Sequence, residues 1–345
     1  DTTIGNNKVN LYVNTKKETP KRARKIYRIN DVVIYSNYSL NSSVEDTSKK
    51  YGELYQGYYV IDSSKFYKPK LFLQAMQFSK GDIYKRNEHN ATLNRLINLN
   101  IFKFVKNRFE IAGDTLLNAY YYLTPQPKKS LRVEIGGLTK SNNLTGTQLT
   151  VGFTNRNTFR GGEILNVNAS AGAEVQVSGQ YKGYNTYRLG AEANLAIPRF
   201  IVPFTLNPRG GFVPRTNIQL GYDWLNRQKL YTLNSFRGAF GYIWKESARK
   251  EHTFYPISVQ YVRPLNVSAE YLKSVAENPA LRKIIDTQFI LGANYNFLFN
   301  QLTGRVPDNA FYFNGLLDVS GNIAGLIKKN VIKDGDTARL FGAPF

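Results

Sequence analysis

Residues 131–165 read LRVEIGGLTKSNNLTGTQLTVGFTNRNTFRGGEIL, and this stretch decides how the rest of the chain is interpreted. Within it, Leu149, Val151 and Phe153 are each separated by one small or polar residue. Side chains of a β-strand point alternately to opposite faces, so a period of two indicates a strand with one apolar and one polar face. The stretch therefore predicts half-apolar strands.

The same alternation recurs from residue 131 onward. About nine strands fit it, near residues 131–138, 147–156, 163–175, 185–197, 214–225, 230–245, 254–263, 284–299 and 310–327. Many exceed the nine or so residues that a tilted strand needs to cross a bilayer, whereas strands of soluble proteins usually have about five or six. We therefore expect an antiparallel transmembrane β-barrel, with a short helix in the connection 268–283. A large soluble β-sandwich or solenoid would also alternate and is the alternative.

The composition limits the kinds of site that the chain can contain. It has 345 residues and no cysteine, which excludes disulfides, thiolate zinc sites and cysteine nucleophiles. Its 24 tyrosines and 21 phenylalanines belong to residue types that favour strands and gather at membrane–water interfaces. A mean hydropathy of −0.39 does not exclude a barrel, because every second residue of a barrel strand faces a polar interior.

The first third of the chain has a mixed pattern. Three strands and two helices fit it in the order strand, helix, helix, strand, strand, at residues 25–35, 69–77, 86–99, 101–111 and 115–123. Pro69 suits the first turn of a helix, where the missing N–H would have no partner in any case. This plan does not explain a long polar stretch, 36–68. The pattern predicts an α+β domain ahead of the strands.

The formal net charge is +21, from 46 basic and 25 acidic residues. The excess is spread over both halves of the chain, and its densest cluster lies within 21–28. Nucleic-acid binders usually pair such clusters with a recognisable reading module, and none is found here. We therefore expect no nucleic-acid partner, and we interpret the charge as a solvated basic surface or as attraction to anionic lipid head groups.

Residues 80–111 resemble a polypeptide-transport-associated (POTRA) domain. The matching residues, in its turn, second helix and next strand, are Gly81, Asp82, Tyr84, Leu96, Leu99, Ile101 and Phe102. The join Leu123-Thr124-Pro125 is similar to the usual exit from the last POTRA domain. The resemblance implies that residues 21–126 form the last POTRA domain, with an insertion near 36–68, and that residues 1–20 end a preceding one.

Residues 131–165 resemble the start of a BamA/TamA-type outer-membrane barrel, in which two strands lead into an Arg-Asn-x-Phe-x-Gly-Gly-Glu turn. The residues that match this turn are Arg156, Asn157, Phe159, Gly161, Gly162 and Glu163. Within the superfamily, the Tyr- and Asn-rich style is most similar to the TamA-like branch of Bacteroidetes. The resemblance implies that residues 127–345 form the N-terminal part of a barrel, about nine of its sixteen strands.

Two departures from the family pattern accompany this resemblance. Only about nine of the sixteen strands fit before Phe345, and the family's late Arg-Gly-Phe loop has no counterpart. Phe236-Arg237-Gly238 is similar to that loop but lies in a strand, too early in the barrel, so we assign it no such role. We therefore expect the chain to be an internal portion of a longer protein.

The sequence contains no constellation that predicts catalysis. His89 lies in a predicted helix and His252 in a turn rich in Lys and Glu, and we expect both at the surface rather than as ligands. Glu163 and Glu192 are expected to point into the barrel lumen, with no acid–base partner. The Gly161-Gly162 pair is interpreted as a tight turn, because no helix begins there to cradle a phosphate. We predict a protein that is not an enzyme, with no cofactor and no metal site.

The resemblance implies a role in folding or inserting outer-membrane proteins, or in translocating them. The first barrel strand would form a weak lateral seam with the last one, at Leu131, Val133, Ile135, Gly136 and Gly137. Glycine weakens strand pairing, although a kink that curves the barrel is an equal alternative for these two. An open seam would pair with an incoming client strand and spare its backbone groups from exposure to lipid.

Clients would first bind a strand edge of the POTRA domain, near 25–35 or 101–111, with Ile101, Phe102, Phe104 and Val105 as the predicted contacts. The expected partners are the outer-membrane bilayer of a Gram-negative cell, unfolded outer-membrane proteins, and periplasmic or lipoprotein subunits, with the POTRA domain in the periplasm. Two alternatives are open: a TamA-like link between a periplasmic bridge and the outer membrane for lipid transport, and a passive secretion pore.

Overall fold

The computed structural model describes residues 3–4, 8–9, 16, 18–39, 52–140, 144–176, 184–204, 210–302, 308–320, 332–334, 337–340 and 343–344. Strands β1 to β19 span Thr3–Ile4, Lys8–Val9, Arg28–Tyr35, Glu53–Tyr55, Tyr58–Ile61, Phe102–Ile111, Leu116–Pro125, Lys129–Thr139, Leu144–Arg156, Ile164–Gln176, Thr186–Ile197, Arg215–Arg227, Tyr231–Ser247, Lys250–Leu265, Gln288–Asn300, Tyr312–Ser320, Ile332–Asp334, Thr337–Leu340 and Ala343–Pro344. Helices α1 to α4 span Lys70–Ala75, Arg86–Asn98, Ala269–Glu277 and Arg282–Ile285.

Strands β8 to β16 form one nine-stranded antiparallel sheet in which each strand pairs with the next along the chain. All nine strands expected from the alternation are present, most with bounds within three residues of the prediction. Strand β14 starts earlier than predicted, at Lys250, because it continues the hairpin with β13 past two register shifts. Strand β15 starts later, at Gln288, because α4 occupies the predicted beginning. Residues 321–327 of the last predicted strand lie outside the described residues.

The two faces of this sheet differ in chemistry. One rung of the apolar face runs through paired residues Val133, Val151, Ala169, Ala191, Tyr222, Phe236, Tyr261 and Phe289. The neighbouring rung of the polar face runs through Arg132, Gly152, Asn168, Glu192, Gly221, Arg237 and Gln260. The apolar face is largely exposed, with Leu220 at 62% and Phe236 at 50%. The other described residues therefore leave most of this apolar face uncovered.

Residues 18–126 contain a second sheet and two helices, which we call the α/β unit. Its five strands lie in the order β4-β5-β3-β7-β6, with β3 parallel to both of its neighbours. The helices α1 and α2 pack on this sheet over a core of side chains that are almost fully buried: Ile29, Val32, Ile34, Val60, Phe72, Leu96, Ile101, Tyr121 and Leu123. The predicted strand–helix–helix–strand–strand order is present, and the unexplained stretch 36–68 contributes the β4–β5 hairpin.

The turn that starts at Asn157 and the connections following β11, β13 and β15 lie at one end of the nine-stranded sheet, which we call the lower end. The α/β unit contacts this end through the Asn157 turn and the segment after β11. Helices α3 and α4 lie at the opposite end, between β14 and β15, where the sequence predicted a short helix in 268–283. No helix among the described residues is both long and apolar enough to cross a membrane.

Candidate functional site: a free strand edge and the turn beside it

Strand β8 lies at one edge of the nine-stranded sheet and pairs along its length with β9. In the described part of the chain, no strand pairs with its other side. On its apolar face, Leu131, Val133 and Ile135 expose 69%, 58% and 80% of their surface. The strand thus presents unpaired backbone N–H and C=O groups beside a row of exposed apolar side chains, which makes it a template for another strand.

Two glycines lie near the far end of this edge, at positions 136 and 137. A Cβ added to Gly136 would meet only the carbonyl oxygen of Gln148, at 4.0 Å, and a Cβ on Gly137 would have no neighbour within 4 Å. Neither residue has the positive φ that favours glycine. Neither packing nor backbone conformation therefore requires glycine here, and its remaining effect is to weaken strand pairing.

The opposite edge of the sheet is β16, and in the described residues β8 and β16 do not pair. The sheet is therefore open in the part of the chain that the structure describes, and it contains the nine strands expected for the first part of a barrel. The lateral seam at β8 stays a prediction, because it needs a strand on the unpaired side.

The turn between β9 and β10 is held together by two of its own buried side chains. One carboxylate oxygen of Glu163 accepts hydrogen bonds from the backbone N–H groups of Phe159 at 3.2 Å and Gly161 at 2.8 Å. The side-chain oxygen of Asn157 accepts one from the N–H of Gly162 at 3.1 Å. Glu163 was expected in the lumen, but it lies inside this turn, and its carboxylate satisfies backbone donors there.

The same turn docks on the α/β unit. The Asn157 amide donates a hydrogen bond to the carbonyl of Phe66 at 2.7 Å. The backbone N–H of Lys68 donates to the carbonyl of Arg160 at 2.7 Å, and the Arg160 guanidinium donates to the carbonyl of Lys65. Because Asn157 is fully buried, replacing its amide would leave the Phe66 carbonyl without this donor.

Gly162 is required by the turn for two reasons. Its φ is +76°, a conformation that side chains other than glycine rarely adopt. A Cβ at this position would lie 3.0 Å from Leu71 and 3.2 Å from Ile101, both in the core of the α/β unit. Arg156, at the start of the turn, donates to the carbonyl of Pro127 and the hydroxyl of Ser130, both at 3.1 Å, and so ties the turn to the base of β8. Of the six predicted turn residues, Phe159 has an exposed side chain.

A second joint connects α2 to the segment that precedes β12. The buried guanidinium of Arg95 donates to the carbonyls of Gly210 at 3.1 Å, Phe212 at 2.9 Å and Gln74 at 2.8 Å. The Arg215 guanidinium returns a hydrogen bond to the carbonyl of Asn98 at 2.7 Å. This joint was not predicted from the sequence, although Arg95, a basic residue next to Leu96 on the apolar side of the helix, could have indicated it.

The polar face of the sheet carries charged side chains around a cavity of about 340 Å³. Arg132 pairs with Glu134 on β8, and Arg237 on β13 pairs with Asp223 on β12 at 2.7 Å. Glu192 lies on the same wall, as predicted for a residue facing the interior. Strands from β8 to β13 contribute to this one cavity, so the polar face is concave and the apolar face is convex.

The predicted client edge of the α/β unit has its residues in different environments. Ile101 and Phe102 are buried in the core, 0% and 5% exposed, so their side chains are not accessible to a client. Val105 is half-buried against the same core, whereas Phe104 is exposed. Strand β6 is an edge strand, but the alternative edge at 25–35 is wrong, because β3 lies between β5 and β7.

Both histidines, expected at the surface, lie in environments other than the predicted ones. His89 hydrogen-bonds Tyr84 at 2.9 Å and also contacts Asn107, and burial, more than the nearby Arg86 charge, lowers the pKa of its imidazole. His252 lies within β14 rather than in a turn, buried at 9% exposure and stacked on Trp244. Among the described residues, no group of three or more His, Asp or Glu side chains could hold a metal ion.

Two rows of aromatic side chains cross the apolar face. The upper row links Tyr222, Phe236, Tyr261 and Phe289, and the lower row links Phe200, Tyr242, Trp244, His252 and Phe297. Trp244 follows Phe236 by eight residues on β13, which corresponds to roughly 26 Å along a strand. At the strand tilt of a barrel this is a band about 20 Å tall, similar to the apolar band of membrane barrels between its aromatic girdles.

Comparison with known proteins gave matches to solved structures. No protein-family model and no curated protein sequence matches the chain. The structure of CdiB from Acinetobacter baumannii matches with a TM-score of 0.51 and 12% identity, over 86% of this chain and 46% of that one. A crystal structure of BamA from Haemophilus ducreyi lacking POTRA domains 1–3 matches with a TM-score of 0.47 and 11% identity, over 85% and 48%. The chain thus spans about half the length of these structures, and it shares a fold with CdiB over 86% of its own length.

Proposed function

We propose that the nine-stranded sheet is the first part of a transmembrane β-barrel in the outer membrane of a Gram-negative cell. The exposed apolar face and its two aromatic rows support this placement, because large apolar surfaces mark interaction sites and aromatic rows on both sides of an apolar band are typical of membrane barrels. The α/β unit, a POTRA domain in this proposal, then lies on the periplasmic side, below the lower aromatic row. The fold shared with CdiB is consistent with this arrangement.

The function that this geometry supports best is insertion or translocation of outer-membrane proteins at the edge of β8. The observation that carries it is the unpaired edge, which combines exposed apolar side chains with glycines that nothing in the structure requires. A client strand would pair with this edge, and its backbone groups would be satisfied before they meet lipid. Clients would bind first along the backbone edge of β6, and the protein would act without catalysis or a cofactor.

The two joints at the lower end would give this edge a fixed position. Arg156 ties the turn to the base of β8, and Asn157 ties the same turn to the α/β unit. A client held on β6 would therefore be presented to a strand edge whose base is anchored and whose glycine end is weakly paired. Within this proposal the protein belongs with BamA/TamA-type machines, with the TamA-like branch as the finer assignment.

A passive secretion pore is the second candidate, and the charged cavity on the concave face favours it. Arg132, Glu192 and Arg237 would line a polar interior through which a chain or ions could pass. A pore conducts steadily without client contacts at β8. Steady conductance of the full-length protein in planar bilayers, without adducts at the edge, would favour the pore.

The test is in-cell photo-crosslinking from position 136 of the full-length protein, with position 294 as the matched control. Asn294 lies on β15, paired with neighbours on both sides, so a client strand has no backbone edge there. We expect adducts between position 136 and several unrelated outer-membrane proteins during their synthesis, and none from position 294. Adducts with lipid alone or with one periplasmic protein would contradict the insertion proposal and favour the lipid-transport alternative.

A further inference from the structure

A feature unrelated to the β8 edge lies at the lower end of the apolar face, where the chain leaves β11. Residues 197–204 read IPRFIVPF, an apolar segment with one charge. Pro198 and Pro203 lack the backbone N–H that would extend strand pairing. The segment is therefore too apolar for an ordinary surface turn and cannot continue the sheet.

The structure folds this segment back along the apolar face. Thr216, fully buried on β12, donates its hydroxyl to the carbonyl of Arg199 at 2.7 Å and accepts the backbone N–H of Ile201 at 3.0 Å. The Tyr242 hydroxyl donates to the carbonyl of Ile201 at 2.9 Å. These bonds satisfy the backbone of a segment that lies against the convex side of the sheet, so its position is set by the sheet itself.

The side chains of the segment extend the lower aromatic row. The ring of Phe200 packs against Tyr242 and Trp244, with centroids 5.7 and 6.1 Å away. Ile201 and Phe204, in contrast, are 41% and 62% exposed. The exposed apolar surface of the sheet therefore continues without a break onto this segment.

A groove of about 860 Å³ separates the segment from the α/β unit. Phe200, Val202 and Phe204 line an apolar wall, and the facing wall, on the α/β unit, is mostly polar and includes Lys70, Gln74 and Gln77. This volume is in the range of sites that hold small molecules. The groove thus has one apolar and one polar wall, and it opens at the level of the lower aromatic row.

The rim of the groove carries more positive than negative charge. Lys70 on α1 is exposed at the rim, and Arg199 lies on the opposite side with its side chain 40% exposed. One carboxylate oxygen of Glu163 lies 3.8 Å from the Arg199 guanidinium, and the other accepts two backbone N–H groups. Asp82, which also lines the groove, accepts the backbone N–H of Ser79 at 2.7 Å.

We propose that this groove binds an anionic phospholipid of the adjacent leaflet, with an acyl chain along the apolar wall of Phe200, Val202 and Phe204 and the phosphate beside Lys70 and Arg199. Two features point to a lipid rather than a protein segment: the apolar wall is continuous with the surface that faces the bilayer, and the rim carries cations at the interface. The inference rests on the proposed membrane position of the sheet and is independent of client insertion at β8.

The test uses the full-length protein in phosphatidylcholine vesicles that contain a phosphatidylglycerol with a photoreactive acyl chain. We expect crosslinks to peptides covering residues 70–78 and 198–204, in addition to crosslinks on the apolar face of the sheet. The double substitution Ile201→Asn and Phe204→Ser should lower labelling of the groove about tenfold, a loss of roughly 1.4 kcal/mol in binding. Leu54→Asn, at an equally exposed apolar residue of β4, should leave it unchanged.

The head-group contact has its own matched pair of variants. Lys70→Glu should remove the preference for the anionic lipid over a photoreactive phosphatidylcholine, whereas Lys106→Glu, on β6 away from the groove, should keep it. An equal effect of the two substitutions would mean that the attraction is a general property of the basic surface, and it would overturn the phosphate site.

The labelling pattern separates failure of this inference from failure of the membrane proposal. Crosslinks on the apolar face with none in 70–78 or 198–204 would overturn the groove and leave the barrel intact. An absence of crosslinks on both surfaces would overturn the membrane position of the sheet, and the groove with it.

Discussion

The α/β unit and the nine-stranded sheet use the same apolar residue types in opposite ways. In the α/β unit, Phe72, Ile101 and Leu123 are fully buried against one another. In the sheet, Leu131 and Leu220 expose well over half of their surface on a continuous face. This difference shows that a pattern of apolar residues does not by itself locate a protein core, because either protein or lipid can cover an apolar face.

The largest expected difference between the two regions comes from removing one phenylalanine ring from each. Phe72→Ala should lower the free energy of unfolding by about 3–5 kcal/mol, because the close-packed core cannot collapse onto the cavity. Phe236→Ala, on the apolar face, should lower it by about 2 kcal/mol, because lipid fills the vacated space. Urea unfolding of the full protein in lipid vesicles measures both values. Equal losses would mean that protein also covers the apolar face.

A charge introduced on either face of the sheet tests whether the two faces meet different surroundings. Val259→Arg places a cation on the apolar face and should cost about 2–4 kcal/mol of stability in a bilayer, because the charge meets hydrocarbon. Gln260→Arg, the next residue of β14 on the polar face, should cost less than about 0.5 kcal/mol. The measurement is the yield of folded protein on assembly into vesicles as urea is diluted. If the two variants assemble equally well, the apolar face does not meet lipid.

The smallest expected effect is a pH dependence that belongs to the α/β unit. Burial of His89 lowers its pKa below the ordinary value of 6.5, so the unfolded chain binds the proton at a higher pH than the folded chain does. The contribution of His89 to the free energy of unfolding is therefore fully present above about pH 6.5, and it is lost as the pH falls through the pKa of the folded state. His89→Gln should remove this part of the pH dependence. Thermal unfolding between pH 8 and pH 5 measures the difference, and identical profiles would contradict it.

The strands and their faces were predictable because the alternation is local. Leu149, Val151 and Phe153 indicate the same face whether or not their neighbours in the sheet are known, since each strand carries its own period of two. The order of elements in the α/β unit was predictable for the same reason. The bounds of β14 and β15 were less accurate, because register shifts with β13 and a competing helix turn depend on partners elsewhere in the chain.

The site residues were predictable only in part. The turn at Asn157 was identified from its resemblance to a family pattern, but its contact with the carbonyl of Phe66 joins residues 91 positions apart. The side chains of Ile101 and Phe102 were predicted to contact clients but are buried, because an apolar residue at the start of an edge strand can still point into the core. The interior position of β3 was missed, since strand order depends on which edges meet after the helices pack.

The sequence alone was enough to predict long strands with one apolar face, preceded by an α+β segment. The reason is that the alternation of apolar and polar residues is a property of each strand alone. Only the folded structure shows that one side of β8 is unpaired among the described residues, that the polar face is concave, and that Asn157, Gly162 and Arg95 join the two regions. These features come from contacts between residues that are far apart in the chain, and such contacts leave no periodic signal in it. The unpaired edge of β8 and the groove proposed to bind a phospholipid, on which the two proposals rest, are features of this kind.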